Sequence, residues 1–333
     1  MFREKLRLIS LIACFLGLSQ PALAETSGFE WQWGGEERRW FIETDVVLPA
    51  YMWFHKDRNA SVRVVSFQLQ LVMGCQVADV LRKGWELHCE IENAGIRAAG
   101  TSGDTNKVQE ILDEVHEKLN HAILSVNITK NGLVSSVDFN EYQVSDVNRQ
   151  TSLMRETMRL VLARAIAGFD MELPKDGVIT DPVWPQYEAL LMRSPSSSGS
   201  QSANQIIHRV IDARDNGLHV IETAGKGLMN AAHLTGNLYN AELYAFGVFD
   251  VSSGYLRERA WTVFASASAG SAFNEGYQTI PYIQWGRIIS MAPGEQREVF
   301  ASIETAAPGN QTEGLPSWVP LSDASADLIG FTK

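Results

Sequence analysis

Between Phe67 and Ile91, two runs of alternating apolar residues each carry a cysteine. Phe67, Leu69, Leu71 and Met73 take every second position of the first run. Trp85, Leu87 and Ile91 do the same in the second, with Glu86, His88 and Glu90 between them. A side-chain period of two belongs to a strand that buries one face. The segment therefore predicts two half-buried strands joined through Arg82-Lys83-Gly84. Extending each alternation puts Cys75 and Cys89 on the apolar faces, roughly opposite one another. A disulfide is expected, with Cα atoms about 4.4–6.8 Å apart. Closing a loop of about fourteen residues contributes on the order of 3 kcal/mol in the chain-entropy model. Zinc needs about four ligands, and the nearest imidazole, His88, faces the other way. The C-x-x-C redox spacing is absent. Free buried thiols are the alternative reading.

Such a bond persists in an oxidising compartment, and the start of the chain points to one. Arg3, Lys5 and Arg7 precede an apolar run from Leu8 to Leu18, and Ala22-Leu23-Ala24 follows. This is the build of a secretory signal peptide over residues 1–24. The run of about eleven apolar residues falls short of the roughly 20 that span a bilayer, and no later stretch is long enough. The mature chain is thus expected to have no transmembrane segment and to reside in the periplasm or outside the cell. Leu11-Ile12-Ala13-Cys14 also fits a lipoprotein cleavage pattern. Lipidation at Cys14 would leave a very short signal and apolar Phe15–Leu18 directly after the anchor, so cleavage after Ala24 is the preferred reading. The full chain carries a net charge of −11; removing residues 1–24 takes away Arg3, Lys5, Arg7 and Glu4 and leaves −13. A field of that sign repels nucleic acid and anionic lipid headgroups over most of the surface, so no nucleic-acid partner is expected.

The remainder repeats the strand pattern. Glu30-Trp31-Gln32-Trp33 runs into Gly34-Gly35, and Arg39–Ile42 opens another extended segment. The apolar phase slips at Val64-Val65, which suggests a β-bulge. Strand–turn–strand signals lie at Leu124–Phe139 around Asn131-Gly132, at Asp215-Asn216-Gly217 and at Ser252-Ser253-Gly254. A last strand is expected from Pro281 to Met291. Two segments break the pattern. Val108, Ile111, Leu112, Val115, Leu119, Ala122 and Ile123 form a helical stripe over 104–123, with Asp104 or Thr105 as N-cap and Glu110, Asp113, Glu114 and Glu117 on the wet side. A second helix over about 146–167 would bury Met154, Met158, Val161, Leu162, Ala165, Ile166 and then Phe169. The fold class that follows is α+β, predominantly antiparallel β: a curved sheet or open half-barrel with two amphipathic helices packed on it. A β-rich globular region spans 25–305, with a possible sub-boundary in the Ser-rich stretch 194–205, and residues 306–333 form a tail expected to be only partly ordered.

Chemistry is sparse. No G-x-S-x-G, phosphate-binding loop, dinucleotide fingerprint or H-E-x-x-H occurs. His116 and His121 lie five apart on a helix and diverge. His208 and His219 flank a turn whose register pairs His208 with a residue near Ala224, and both read as strand-surface histidines. Asn59, Asn127 and Asn310 head sequons, but Asn127 falls inside a predicted strand. Trp31, Trp33 and Trp40 fit either an apolar site or, better, anchors of the sheet. No catalytic residue, metal ligand or cofactor is assigned.

The Cys75–Ile91 stretch, the strand–Asn-Gly–strand at 124–139 with its following helix ending Ala165–Pro174, and Phe249–Arg259 resemble uncharacterised secreted β-rich proteins of Gram-negative bacteria. More loosely, the order of elements is similar to the half-barrels of periplasmic lipoprotein carriers. That resemblance implies an architecture and no functional residue. The expectation is a non-enzymatic exported envelope protein, a lipid-binding candidate that holds an apolar ligand or acyl chain on a concave sheet. The alternative is a structural or protein-interaction component of the cell envelope.

Overall fold

The computed structural model describes residues 29–34, 36–49, 64–98, 105–139, 162, 165–174, 177, 183–186, 205–230, 238–267 and 282–299. The strands are β1 (Arg38–Pro49), β2 (Val64–Leu81), β3 (Gly84–Ala98), β4 (Ile123–Thr129), β5 (Val134–Phe139), β6 (Val183–Gln186), β7 (Gln205–Ala213), β8 (Leu218–Asn230), β9 (Leu238–Asp250), β10 (Tyr255–Ala267) and β11 (Tyr282–Ser290). They form one 11-stranded sheet in the order β5-β4-β3-β2-β1-β11-β10-β9-β8-β7-β6. Every neighbouring pair is antiparallel. The first and last strands meet at its centre, while β5 and β6 end it without pairing to each other. The sheet is open. The Ser-rich stretch 194–205 follows β6 and ends on the first residue of β7, and these two strands are paired neighbours in this sheet.

One face is buried almost without interruption. Across the register, Ile96, Leu69, Thr44, Gly286, Trp261, Ala245, Thr223, His208 and Trp184 stand in line on it, and all nine are buried. The alternation read from Phe67 to Met73 is this inner face. Gly286 shows how tightly it is filled. A Cβ there would lie 2.0 Å from the Trp261 ring, and one at Gly168 would lie 2.6 Å from the ring's other edge. Trp261 thus packs against backbone at both positions, which no larger residue permits.

Cys75 and Cys89 are directly opposed and disulfide-bonded, and His88 sits on the other face with Gln76 and Ser125. Their Cα atoms are 4.0 Å apart, closer than the expected window. Directly opposed residues of an antiparallel pair already lie only about 4.5–5.5 Å apart before any cross-link draws them together, so the general disulfide range overstated the distance here.

Helix α1 (Thr105–Leu119) forms as its stripe demands: Leu112, Val115 and Leu119 are fully buried, while Glu110, Asp113, Glu114 and Glu117 are exposed. It ends at His121, whose φ of 63° is the left-handed C-terminal conformation. Strand β4 pairs with β3 only as far as Glu90, and the helix takes over the strand edge beyond. Ala94 N–H donates to Asn120 Oδ1 at 2.8 Å, His121 N–H donates to Ile91 O at 2.8 Å, and His116 Nε2 meets Ala94 O at 3.0 Å. An edge that would otherwise leave backbone groups unpaired is thereby closed. The two histidines do diverge, as their spacing implies.

Of the second predicted helix, Leu162, Ala165 and Ile166 are helical and buried, and Ala167–Phe169 forms a 3-10 turn. Met154, Met158 and Val161 lie outside the described residues, as do the predicted signal peptide with Cys14, Asn59, Asn310 and the tail 306–333. Asn127 is on β4, where its Nδ2 donates to Ser136 Oγ at 2.8 Å.

Three expectations need correction. The phase slip at Val64-Val65 is no bulge, since β2 runs against β1 there without a register shift. The extra residues are Glu92 on β3 and Ala78 on β2. Apolar periodicity alone does not distinguish a bulge from a strand changing its surroundings. Second, Glu30–Trp33 is extended but belongs to no strand. Third, His208 and His219 are buried rather than strand-surface residues.

Candidate functional site

The inner face is where a ligand would be expected, and an unpaired strap crosses it. Phe29, Trp31 and Trp33 are buried while Glu30 and Gln32 between them are exposed. The strap has the period of a strand but is held only at points. Phe29 N–H donates to Gly177 O at 3.0 Å and Gln32 N–H to Gly254 O at 2.7 Å. Its side chains build a continuous aromatic row. Phe29 stacks on Phe249 with centroids 5.5 Å apart, Trp31 lies 5.9 Å from Trp33, and Trp33 lies 5.5 Å from Trp40. Trp40 meets Phe169 edge-on at 4.9 Å, tying β1 to the chain that leaves the helical residues at 165–166. The tryptophans pack against the sheet, and two of them are carried by the strap rather than by the sheet itself. Beside the disulfide an apolar cavity of about 10 Å³ remains, lined among others by Trp33, Met73, Cys75, Leu87 and Phe169. That is the size of about one water and far below the roughly 300 Å³ of a small-molecule pocket.

Buried polar groups interrupt this core. Arg259 on β10 points inward beside Trp261 in the alternation and is buried. Its Nη1 donates to Gly168 O at 3.2 Å and to Asp170 O at 2.8 Å. Burial lowers its pKa to about 10, against the opposing pull of Asp170, so it stays cationic at neutral pH. A guanidinium here satisfies carbonyls that the end of a helix leaves open.

His208, on β7, lies between Thr223 and Gln186. Nδ1 is 2.9 Å from Thr223 Oγ1, and Nε2 is 2.6 Å from Gln186 Oε1. The N–H of Glu172 also donates to Gln186 Oε1, at 3.3 Å, which identifies that atom as the acceptor. Nε2 therefore carries the proton, and Nδ1 accepts from the threonine hydroxyl. Burial, with the charge of Arg259 adding to it, lowers the His208 pKa to about 3. His219 is also pushed down by burial, partly offset by its bond to Gly217 O and by Asp212. The ring of His219 lies 4.9 Å from Phe29, under the strap.

Thr223, His208 and Gln186 have the connectivity of a nucleophile, a base and an orienting group. Their surroundings do not suit that chemistry. All three are buried, the inner cavity is lined elsewhere, and a base with a pKa near 3 draws a hydroxyl proton only weakly. The group reads as a satisfied polar plug in an apolar face. Among the described residues, no group of three or more His, Cys, Asp or Glu side chains is placed to hold a metal ion, and no helix is long and apolar enough to cross a membrane.

At one end of the sheet the β9–β10 turn is an ionic knot. Asp250 Oδ1 accepts from Ser252 Oγ at 2.6 Å and Oδ2 from Arg257 Nη2 at 2.6 Å. Burial alone would raise the Asp250 pKa, but its bonds from Ser252, Ser253 and Arg257 hold the carboxyl well below the usual range. Arg38 stacks over Tyr255 at 4.4 Å and donates to Ser253 O at 3.2 Å. The outer face of the sheet differs from the inner. On β7–β10 it carries Ile207, Tyr244 and Phe264, 39%, 46% and 43% exposed, among the ion pairs Arg209–Glu222 and Lys226–Glu242.

Neither His208 nor Arg259 was singled out as buried from the sequence, although a signal existed. His208 shares the even positions of Ile206 and Val210, and Arg259 the odd positions of Trp261 and Val263. Polarity argued for the outside; alternation argued for the inside, and alternation won. No protein-family model and no curated protein matches the chain.

Proposed function

We propose that the protein is a non-enzymatic component of the cell envelope that works through its surface, as a structural or protein-interaction element. The observation that carries this reading is the filled inner face. The described inner-face residues are buried in line across the sheet, and the cavity beside the disulfide measures about 10 Å³, whereas an acyl-chain carrier needs an apolar channel. The outer face of β7–β10, with exposed aromatics interleaved with ion pairs, has the composition of a protein-contact surface. The disulfide Cys75–Cys89 fits an exported protein. Holding an apolar ligand in the inner face would require the aromatic strap to leave it. Titrating the purified protein with a monomeric fatty acid tests the point, because the strap tryptophans report on their own displacement. A surface-acting protein gives no saturable change in tryptophan fluorescence. A saturable change at one ligand per chain would restore the carrier reading.

A further inference from the structure

The longest strands of the sheet meet at one corner. Strand β1 ends at Arg38, opposite Cys75, while β2 runs on to Leu81. Residues 76–81 thus carry β2 about 20 Å past its neighbour, at about 3.4 Å per residue. The β2–β3 turn touches the β4–β5 turn, where Lys130 N–H donates to Lys83 O at 3.0 Å. These two turns bring together side chains of an unusual kind for this protein. Val80 is 70% and Leu81 36% exposed, Trp85 is half-buried beside them, and Arg82, Lys83 and Lys130 are all exposed. The bulge at Ala78 returns Val80 to the inner-face phase, opposite Trp85, so the apolar stripe of the core continues past the rim into solvent. None of the three cations has an ion-pair partner among the described residues. Of the nearby carboxylates, Asp79 accepts the N–H of Val80 at 2.8 Å, Glu86 accepts the hydroxyl of Ser125 at 2.8 Å and Glu172 accepts from Asn131 Nδ2 at 2.6 Å.

We propose that this corner is a docking site for an anionic lipid bilayer surface, with Val80 and Leu81 entering the headgroup region, Trp85 at its level, and Arg82, Lys83 and Lys130 on the lipid phosphates. Charge complementarity selects the occupant. In a chain of net charge −11, a cluster of three exposed cations, without an ion pair among the described residues, around exposed aliphatic side chains is where an anionic surface is attracted rather than repelled. An apolar wedge flanked by cations and an indole is the chemistry of the membrane interface. An acidic protein partner would match the charges but would leave the exposed valine without a role.

The test uses the mature protein in co-sedimentation with vesicles of phosphatidylcholine alone and of phosphatidylcholine mixed with phosphatidylglycerol. Binding is expected only to the anionic vesicles and should weaken as salt is raised. At about one factor of five per cation near an anionic surface, Arg82→Gln with Lys83→Gln should weaken it about 25-fold. Val80→Ser should weaken it too while preserving the salt dependence. All three side chains are exposed, so an unchanged melting temperature verifies the fold. Should a variant melt early, the wild-type comparison of the two vesicle types still decides. Equal binding to both vesicles, no binding to either, unchanged binding in the variants, or capture by this corner of an acidic protein without vesicle association would overturn the proposal.

Discussion

Lowering the pH should weaken the fold through His208 in a way that one substitution isolates. In the folded protein the imidazole is buried and its pKa is near 3, against an ordinary value of 6.5. Between those values the unfolded chain binds a proton that the folded chain does not. The contribution is fully present above pH 6.5 and is lost as the pH falls toward 3. From pH 7 to pH 5 the loss from this group is about 2 kcal/mol, rising to about 3 kcal/mol by pH 4. His219 acts in the same direction, since burial lowers its pKa as well, so the total slope exceeds that of His208 alone. Urea unfolding at pH 7 and pH 5 of the wild type and of His208→Gln separates the two. The variant keeps His219 and every carboxylate, and the difference between the two pH dependences, not the absolute stability, reports His208. The variant should lose about 2 kcal/mol less than the wild type over that range. Equal pH dependence, or an NMR titration placing the folded His208 pKa near 6.5, would refute the buried neutral assignment.

Other outcomes follow from the same packing. Peptide mapping without reductant should recover residues around Cys75 and Cys89 as one cross-linked species, and reduction should destabilise the protein by about 3 kcal/mol with a lower melting temperature; two free thiols in exported protein would contradict it. Leu112→Ala or Leu119→Ala should cost about 2–5 kcal/mol, and Glu117→Ala less than about 0.5 kcal/mol, in urea titrations. Two glycine substitutions weigh the strap. Gly217 has a φ of 83° with its nearest atom at 3.6 Å, so Gly217→Ala should show backbone strain alone, about 1–2 kcal/mol. Gly132 has a φ of 92°, and a Cβ there would lie 1.8 Å from Trp31 Nε1, so Gly132→Ala should cost about 2–5 kcal/mol. Equal costs would mean that Trp31 is not held against that turn.

Much of this fold is legible in local pattern because antiparallel hairpins are local. The pairing of Cys75 with Cys89 needs only two alternations and a turn, and the positive φ at Gly132, Gly217 and Gly254 follows from the turn chemistry around them. The α1 stripe is equally local. What escapes is non-local. Nothing near Arg38 announces that β1 pairs with β11 at the far end of the chain and joins the two halves. Glu30–Trp33 alternates like a strand, yet packs as a strap bonded at Gly177 and Gly254, both distant in sequence. His208 and Arg259 look like surface residues until Gln186 and the carbonyls of Gly168 and Asp170, distant in sequence, arrive to satisfy them. The docking corner is of the same kind: Lys130 joins Arg82 and Lys83 only because two turns meet.

The account rests on an inner face filled by the protein's own side chains. Native mass spectrometry of the protein purified gently from the cells that make it tests that most directly. The predicted mass is that of the polypeptide alone less the hydrogens lost to the disulfide, with no retained small molecule. A stoichiometric lipid or other apolar ligand, released only on unfolding, would contradict the account and make the inner face a binding site.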